Sequence, residues 1–276
     1  MAVSRNRKSL SSGAALFALA FVACAAPTIT DEEELGRRAA TEVRQHVLVM
    51  HDDVVTSYID EIGQRLVQAS GPQPFQYTFT VVEDDALNAF ATFGGNVFVH
   101  TGLILRVRNV SELAGVIGHE VGHVVHRHMA DNYQRARSAG LLRNAAVIGS
   151  AIGGINPGAV DLLTGFGAQG ILNSFGREAE SEADEFAVEL LPHAGYDPNG
   201  IVTMFEGMAM SENRRAPKFF SDHPASVERT AHTKALIAAK PLPPNLKRDD
   251  NGKLEIIQHR IRLLTQPPKQ SKQPQH

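Results

Sequence analysis

One cysteine, Cys24, stands in 276 residues, which excludes an internal disulfide framework and any thiolate zinc cluster. A basic block is also missing beyond the first eight residues. The chain carries 27 Lys and Arg against 30 Asp and Glu, a formal net charge of −3. Nucleic-acid binders present a basic face, so no nucleic acid is expected as a partner. No uninterrupted apolar run reaches the roughly 20 residues that a helix needs to cross a bilayer, and no internal repeat is present. What remains is an ordinary globular composition, 43% hydrophobic, long enough to bury one real core. With 12 histidines, any metal chemistry must run on imidazole and carboxylate.

The N-terminus reads as an address. Arg5, Arg7 and Lys8 precede the apolar stretch Ala14 to Ala23, the pattern of a secretory signal peptide over residues 1–23. Phe21-Val22-Ala23-Cys24 resembles a bacterial lipobox, in which Cys24 is lipidated and becomes the mature N-terminus; ordinary cleavage nearby is the alternative. Removing residues 1–23 takes away three positive charges and leaves a formal −6. Membrane attachment would then come from acyl chains and not from the domain surface. The expected location is the bacterial envelope: the periplasm, anchored to a membrane, the outer one first.

Val55, Ile59, Ile62 and Leu66 recur at helical spacing over 52–69, and Gly71, Pro72 and Pro74 stop that helix. Phe75, Tyr77, Phe79 and Val81 alternate with polar residues as in a half-buried strand. Gly94-Gly95-Asn96 reads as a hairpin turn into Val97 to His100. Ser111 is the expected N-cap of a helix running to about Met129. Residues 139–176, rich in Gly, Ala, Leu and Ile, read as one or two loosely packed helices over the core, a lid or plug. Further helices are expected over 176–191, 198–210 and 221–240. Domain boundaries follow: signal peptide to 23, one domain over 24–240, then 241–276 as linker, short docking helix and polar tail.

Inside the helix 111–129 stands His119-Glu120-Val121-Gly122-His123. Residues four apart share a helix face, so both imidazoles can reach one ion. Glu120 lies about 100° round the helix and can approach a water on that ion as its proton acceptor. Zinc would lower the pKa of that water to about 7. A third ligand is needed. His126 is one candidate, and Glu180 or Asp184, four apart on the acidic helix 176–191, is the better one. One of these two carboxylates can ligate while the other holds a ligand imidazole by its free N–H.

These motifs resemble the zinc metallopeptidase family that includes the CAAX prenyl proteases and bacterial HtpX, in particular its soluble envelope members. The resemblance rests on Asn88-Ala89-Phe90-Ala91 with Gly94-Gly95 and Val97 to Gly102, on His119-Glu120-x-x-His123, on Glu180-x-x-x-Asp184, and on His223-Pro224 followed by Arg229. It implies an α+β fold, a mainly helical gluzincin-like zincin domain with a small sheet bordering the active-site cleft. It assigns one Zn2+ per chain to His119, His123 and Glu180, the general base to Glu120, and support of a ligand to Asp184. By the same likeness His223 and Arg229 lie near the metal, where a cation stabilises an oxyanion or His223 caps the ion at rest. An extended polypeptide substrate would add to the strand Gly95, Asn96, Val97, Phe98 and Val99. The implied activity is a zinc endopeptidase acting on misfolded or misassembled envelope proteins. The competing expectation is a chaperone or scaffold whose closed four-ligand metal site is structural.

Overall fold

Thr28 opens helix α1 (Ile29–His46) through a capping box with Asp31. Helix α2 (Asp53–Ala69) starts at Asp52, whose carboxylate accepts from Val55 N–H. Then come β1 (Thr78–Val82), β2 (Ala89–Thr92), a 3-10 turn (Phe93–Gly95), β3 (Asn96–His100) and the short helix α3 (Thr101–Arg106). Helix α4 (Val110–Val125) leads to the C-terminal elements α5 (Arg177–His193), α6 (Asn199–Ala209), α7 (Val227–Ala238) and α8 (Lys253–Thr265). The structure, a computed structural model, describes residues 26–135, 137, 175–209, 223 and 227–265. The expectations for the signal peptide 1–23, for Cys24, for nearly all of the stretch 139–176 and for the tail 266–276 fall outside those residues. The mainly helical α+β architecture matches the expectation, and no described helix is long and apolar enough to cross a membrane.

The three-stranded sheet has the order β1-β3-β2, with β3 parallel to β1 and antiparallel to β2. Side chains alternate across β3, so both of its faces are covered. Val97 and Val99 join Ile59, Ile62, Leu66 and Ile117 of α2 and α4, while Phe98 packs with Ala40 and Val43 of α1. Every residue of α4 from Val110 to Val124 is buried, as suits a helix that is apolar nearly all round. Such a helix passes its polar residues through the interior, where each must find partners.

Several local expectations are corrected. Helix α4 is capped by Asn109, whose carboxamide oxygen accepts from Glu112 N–H at 3.0 Å, and Ser111 instead donates its hydroxyl to Asn109. The helix ends at Val125 and not Met129, because Arg127 takes a left-handed backbone (φ 57°) held by Glu32 Oε1 and the Pro27 carbonyl. A new helical turn begins at His128. The stretch expected as a linker is a strap laid on the core: Lys247 N–H donates to Gly195 O, Ser111 N–H to Arg248 O, and Tyr58 Oη to Asp250. It delivers α8, whose Leu254, Ile257 and Ile261 are core residues, so the packed body extends past residue 240.

Close helix approach sets the geometry of the site. A Cβ at Gly122 of α4 would lie 3.2 Å from Ala183 of α5, and one at Gly200 of α6 would lie 2.2 Å from the Ser111 carbonyl oxygen. The second is a collision with backbone, which no side-chain rotation relieves. Gly200→Ala is therefore expected to destabilise the fold by about 1–3 kcal/mol. A lowered urea midpoint with an unchanged slope would show it.

Candidate metal centre and active site

Helix α4 delivers His119, Glu120 and His123, α5 delivers Glu180 and Asp184, α7 delivers Arg229, and His223 reaches in from between α6 and α7. None of His119, Glu120, His123, Glu180, Asp184 and His223 is more than 1% exposed. His119 Nε2 lies 3.1 Å from His123 Nε2, 3.5 Å from Glu180 Oε2 and 3.3 Å from His223 Nδ1. Glu180 Oε1 lies 3.5 Å from His123 Nε2 and 2.9 Å from His223 Nδ1. Four ligands at zinc's usual 2.0–2.1 Å, arranged tetrahedrally, stand about 3.3 Å apart. The donor spacings of 3.1–3.5 Å bracket that value, and the 2.9 Å pair is somewhat closer. Nitrogen and oxygen lone pairs crowded together in a dry interior need a cation among them, so this donor set fits zinc. His126 takes no part: it is exposed at the end of α4.

Each arm of the cluster has a support behind it. Asp184 Oδ1 is 2.9 Å from His119 Nδ1, which turns the Nε2 of that ring inward. Arg229 donates to Asp184 through Nε (2.8 Å) and Nη2 (2.9 Å) and reaches Glu180 Oε2 through Nη1 (2.6 Å). The guanidinium therefore fixes two carboxylates. The expected oxyanion-stabilising cation does not describe this residue, whose three nitrogens all face acids. Glu120 Oε2 accepts the Ala91 N–H of β2 at 3.0 Å, and its Oε1 lies 3.4 Å from His223 Nε2.

A support that no sequence motif had indicated lies behind His123. Its Nδ1 is 2.9 Å from His128 Nδ1, and His128 Nε2 is 2.8 Å from Glu182. The left-handed Arg127 breaks α4 just where the chain must double back to put His128 there. Two histidines five apart straddling a helix end were the available signal. Phe175, at the end of the stretch expected to act as a lid, stacks on the His123 ring with centroids 3.9 Å apart.

The electrostatics favour positive charge at the centre. Burial opposes a charge on His119, yet Asp184 and Glu180 outweigh it and hold its pKa up at about 9. Burial likewise opposes charge on Glu180 and Asp184; hydrogen bonds from His119, with His223 at the one and Arg229 at the other, keep both below the usual carboxylate range. His123 is pushed well down by burial and its cationic neighbours, which leaves a neutral imidazole suited to a metal. Burial raises Glu120 above an ordinary glutamate, toward the range of a general base.

The strand expected to hold substrate is corrected. Gly95 sits in the 3-10 turn and Asn96 to Val99 form β3, the middle strand, whose two edges are taken by β1 and β2. The strand edge facing the cluster belongs to β2, since Ala91 N–H points at Glu120.

The profile of peptidase family M48 matches residues 54–237, the span that contains all of these groups. A putative beta-barrel assembly-enhancing protease of Vibrio cholerae serotype O1 is 34% identical over 230 residues, covering 80% of this chain and 47% of the relative. The beta-barrel assembly-enhancing protease of Escherichia coli K12 is 31% identical over 211 residues, 74% of this chain and 43% of the relative. The metalloprotease LoiP of the same organism is 34% identical over 168 residues, 60% of this chain and 64% of the relative. The chain thus spans less than half the length of the two assembly-enhancing proteases. A buried His-Glu-x-x-His helix crossed by a Glu-x-x-x-Asp helix, and a family profile over two thirds of the sequence, lead to one conclusion: this chain belongs to peptidase family M48.

Proposed function

We propose that the chain is a zinc-dependent endopeptidase, with His119, His123 and Glu180 as protein ligands and Glu120 as general base. The convergence of those donors with Glu120 beside them carries this reading. A zinc ion held there supplies Lewis acidity and a water with a pKa of about 7. Glu120 takes a proton from the attacking water and passes it to the departing amine, with its other oxygen held by Ala91 N–H. Asp184 and His128 keep the two ligand imidazoles in register, and Arg229 holds Glu180 and Asp184 in place.

The substrate is an extended polypeptide laid on the outer edge of β2. The His100 N–H donates to Asn88 O, which sets the alternation along β2: Phe90 and Thr92 bond to β3, while the Ala89 backbone groups and the Ala91 carbonyl lie on the outward edge and the Ala91 N–H is taken by Glu120. At the start of this strand the Asn88 side chain is buried, and neither of its amide atoms has a partner among the described residues, so it is available to a substrate amide. The names of the relatives, which refer to assembly of beta-barrels, support misfolded or misassembled envelope proteins as targets. The signal-like leader and Cys24 support a periplasmic location with a lipid anchor, in the outer membrane first. Removal of zinc with a chelator is expected to abolish casein cleavage by the purified mature chain, and one equivalent of Zn2+ to restore it. Cleavage that persists in metal-free protein would sink the reading.

His223 favours a second reading. As a fourth donor it closes the set, and a closed four-ligand site is structural. We take His223 as a removable cap, because it also faces Glu120 and comes from outside the two helices that carry the other ligands, 43 residues along the chain from Glu180. His223→Ala at saturating zinc is then expected to cleave casein several-fold faster than wild type, with zinc bound about 10-fold more weakly. Loss of the folded state on that substitution would favour the structural site.

A further inference from the structure

A second group of potential ligands stands on the outer side of the first. His126, His128 and Glu182 each offer an atom within 4.8 Å of the others. His126 and Glu182 are exposed, whereas His128 is buried. The rings of His126 and His128 lie nearly parallel, 13° apart with centroids at 5.5 Å, and Phe186 packs edge-on against His126 at 5.6 Å. Two imidazoles and a carboxylate suit a borderline divalent ion. Zinc ligands stand about 3.3 Å apart, so the widest pair must close by at most about 1.5 Å, while His128 Nε2 and Glu182 Oε2, at 2.8 Å, must open slightly. Rotation of the exposed His126 and Glu182 side chains would supply that movement, and water would complete the coordination on the solvent side.

We propose, taking the zinc reading of His119, His123 and Glu180 as given, that His126, His128 and Glu182 bind a second, weaker divalent ion that inhibits the enzyme. The coupling runs through the His128 ring. With its Nε2 toward the first ion, neutral His123 keeps a proton on Nδ1 and donates it to His128 Nδ1, 2.9 Å away. The single ring proton of His128 is then on Nε2 and is donated to Glu182. An ion that takes the Nε2 lone pair displaces this proton. If His128 stays neutral, the proton moves to Nδ1, so two N–H groups confront each other where a hydrogen bond had been. His123 loses its support, a loss that costs about 10–100-fold in metal affinity or activity at comparable sites.

The test titrates Zn2+ alone into the mature chain already holding one equivalent, counting bound metal by equilibrium dialysis and following casein turnover. Wild type is expected to take up a second equivalent at least 100-fold more weakly than the first, and to lose about 10-fold or more of its rate as it fills. His126→Ala, altered at an exposed position outside the centre, is expected to keep the wild-type rate at one equivalent, to bind one ion only, and to resist at least 10-fold more zinc. Counting repeated on Glu120→Gln needs no turnover, so an inactive enzyme and an absent second site are told apart. A count that stays at one in wild type, or an equal second uptake and equal inhibition in His126→Ala, overturns the proposal.

Discussion

Replacing Glu120 by Gln is expected to lower kcat/KM for casein by about 10²–10⁴-fold, the usual contribution of a general base, while zinc content is unchanged. The substitution isolates proton transfer. Gln keeps the volume and an oxygen to accept the Ala91 N–H, and none of the donors around the centre is altered. It removes only the group that accepts a proton from water. The fold is expected to survive and, without metal, to gain. Burial raises the Glu120 pKa in the folded state above its ordinary value. An acid shifted upward costs stability as pH rises from about 4.5 through the folded-state value. The stability difference between Glu120→Gln and wild-type metal-free protein should therefore grow in the variant's favour over that window. Equal turnover by the two proteins, both carrying zinc, would refute the assignment.

The second large effect is on stability. Arg229→Met is expected to destabilise metal-free protein by about 3–5 kcal/mol, because it strips from a buried charge network the one guanidinium that pairs with both Glu180 and Asp184. Thermal unfolding with and without zinc measures it. Added zinc should recover part of the loss, since a divalent cation among the ligands supplies compensating charge. The pH dependence has a definite sign. In wild type both carboxylates are depressed, so their stabilisation is present above the unfolded carboxylate range and is lost as pH falls below about 4. In Arg229→Met the Asp184 carboxyl is expected to be less depressed, so part of the deficit at pH 7 should disappear on acidification. Arg229→Lys restores charge without the paired donors and should fall between. A destabilisation under about 1 kcal/mol would place Arg229 at a solvated pair instead.

Much of the site was legible because its parts obey short-range geometry. His119 and His123 sit on one face by the pitch of the helix, as do Glu180 and Asp184, and the apolar residues flanking the first pair announced a buried helix. The weaker readings share a different cause. The order of the strands depends on β1 pairing in parallel with β3, the next strand but one in sequence, and nothing local marks it. The direction of Arg229 depends on α7 lying beside α5, and the support of His123 by His128 depends on one left-handed residue at position 127. The strap at 241–252 looked like a linker because its hydrogen bonds go to backbone far away in sequence, at Gly195 and Ser111.

The sequence alone determined which residue types meet the chemistry: two imidazoles at helical spacing, an acid beside them, a downstream acidic pair, and no thiol that could take their place. Those features are written at intervals of one helical turn, which the backbone converts to space without help from the rest of the chain. Only the tertiary structure decided which strand edge faces Glu120, which cation secures Glu180, and that His223 closes the set. These are relations between elements tens of residues apart, and they are set by how apolar faces pack together, including the close approach of α5 to α4 at Gly122.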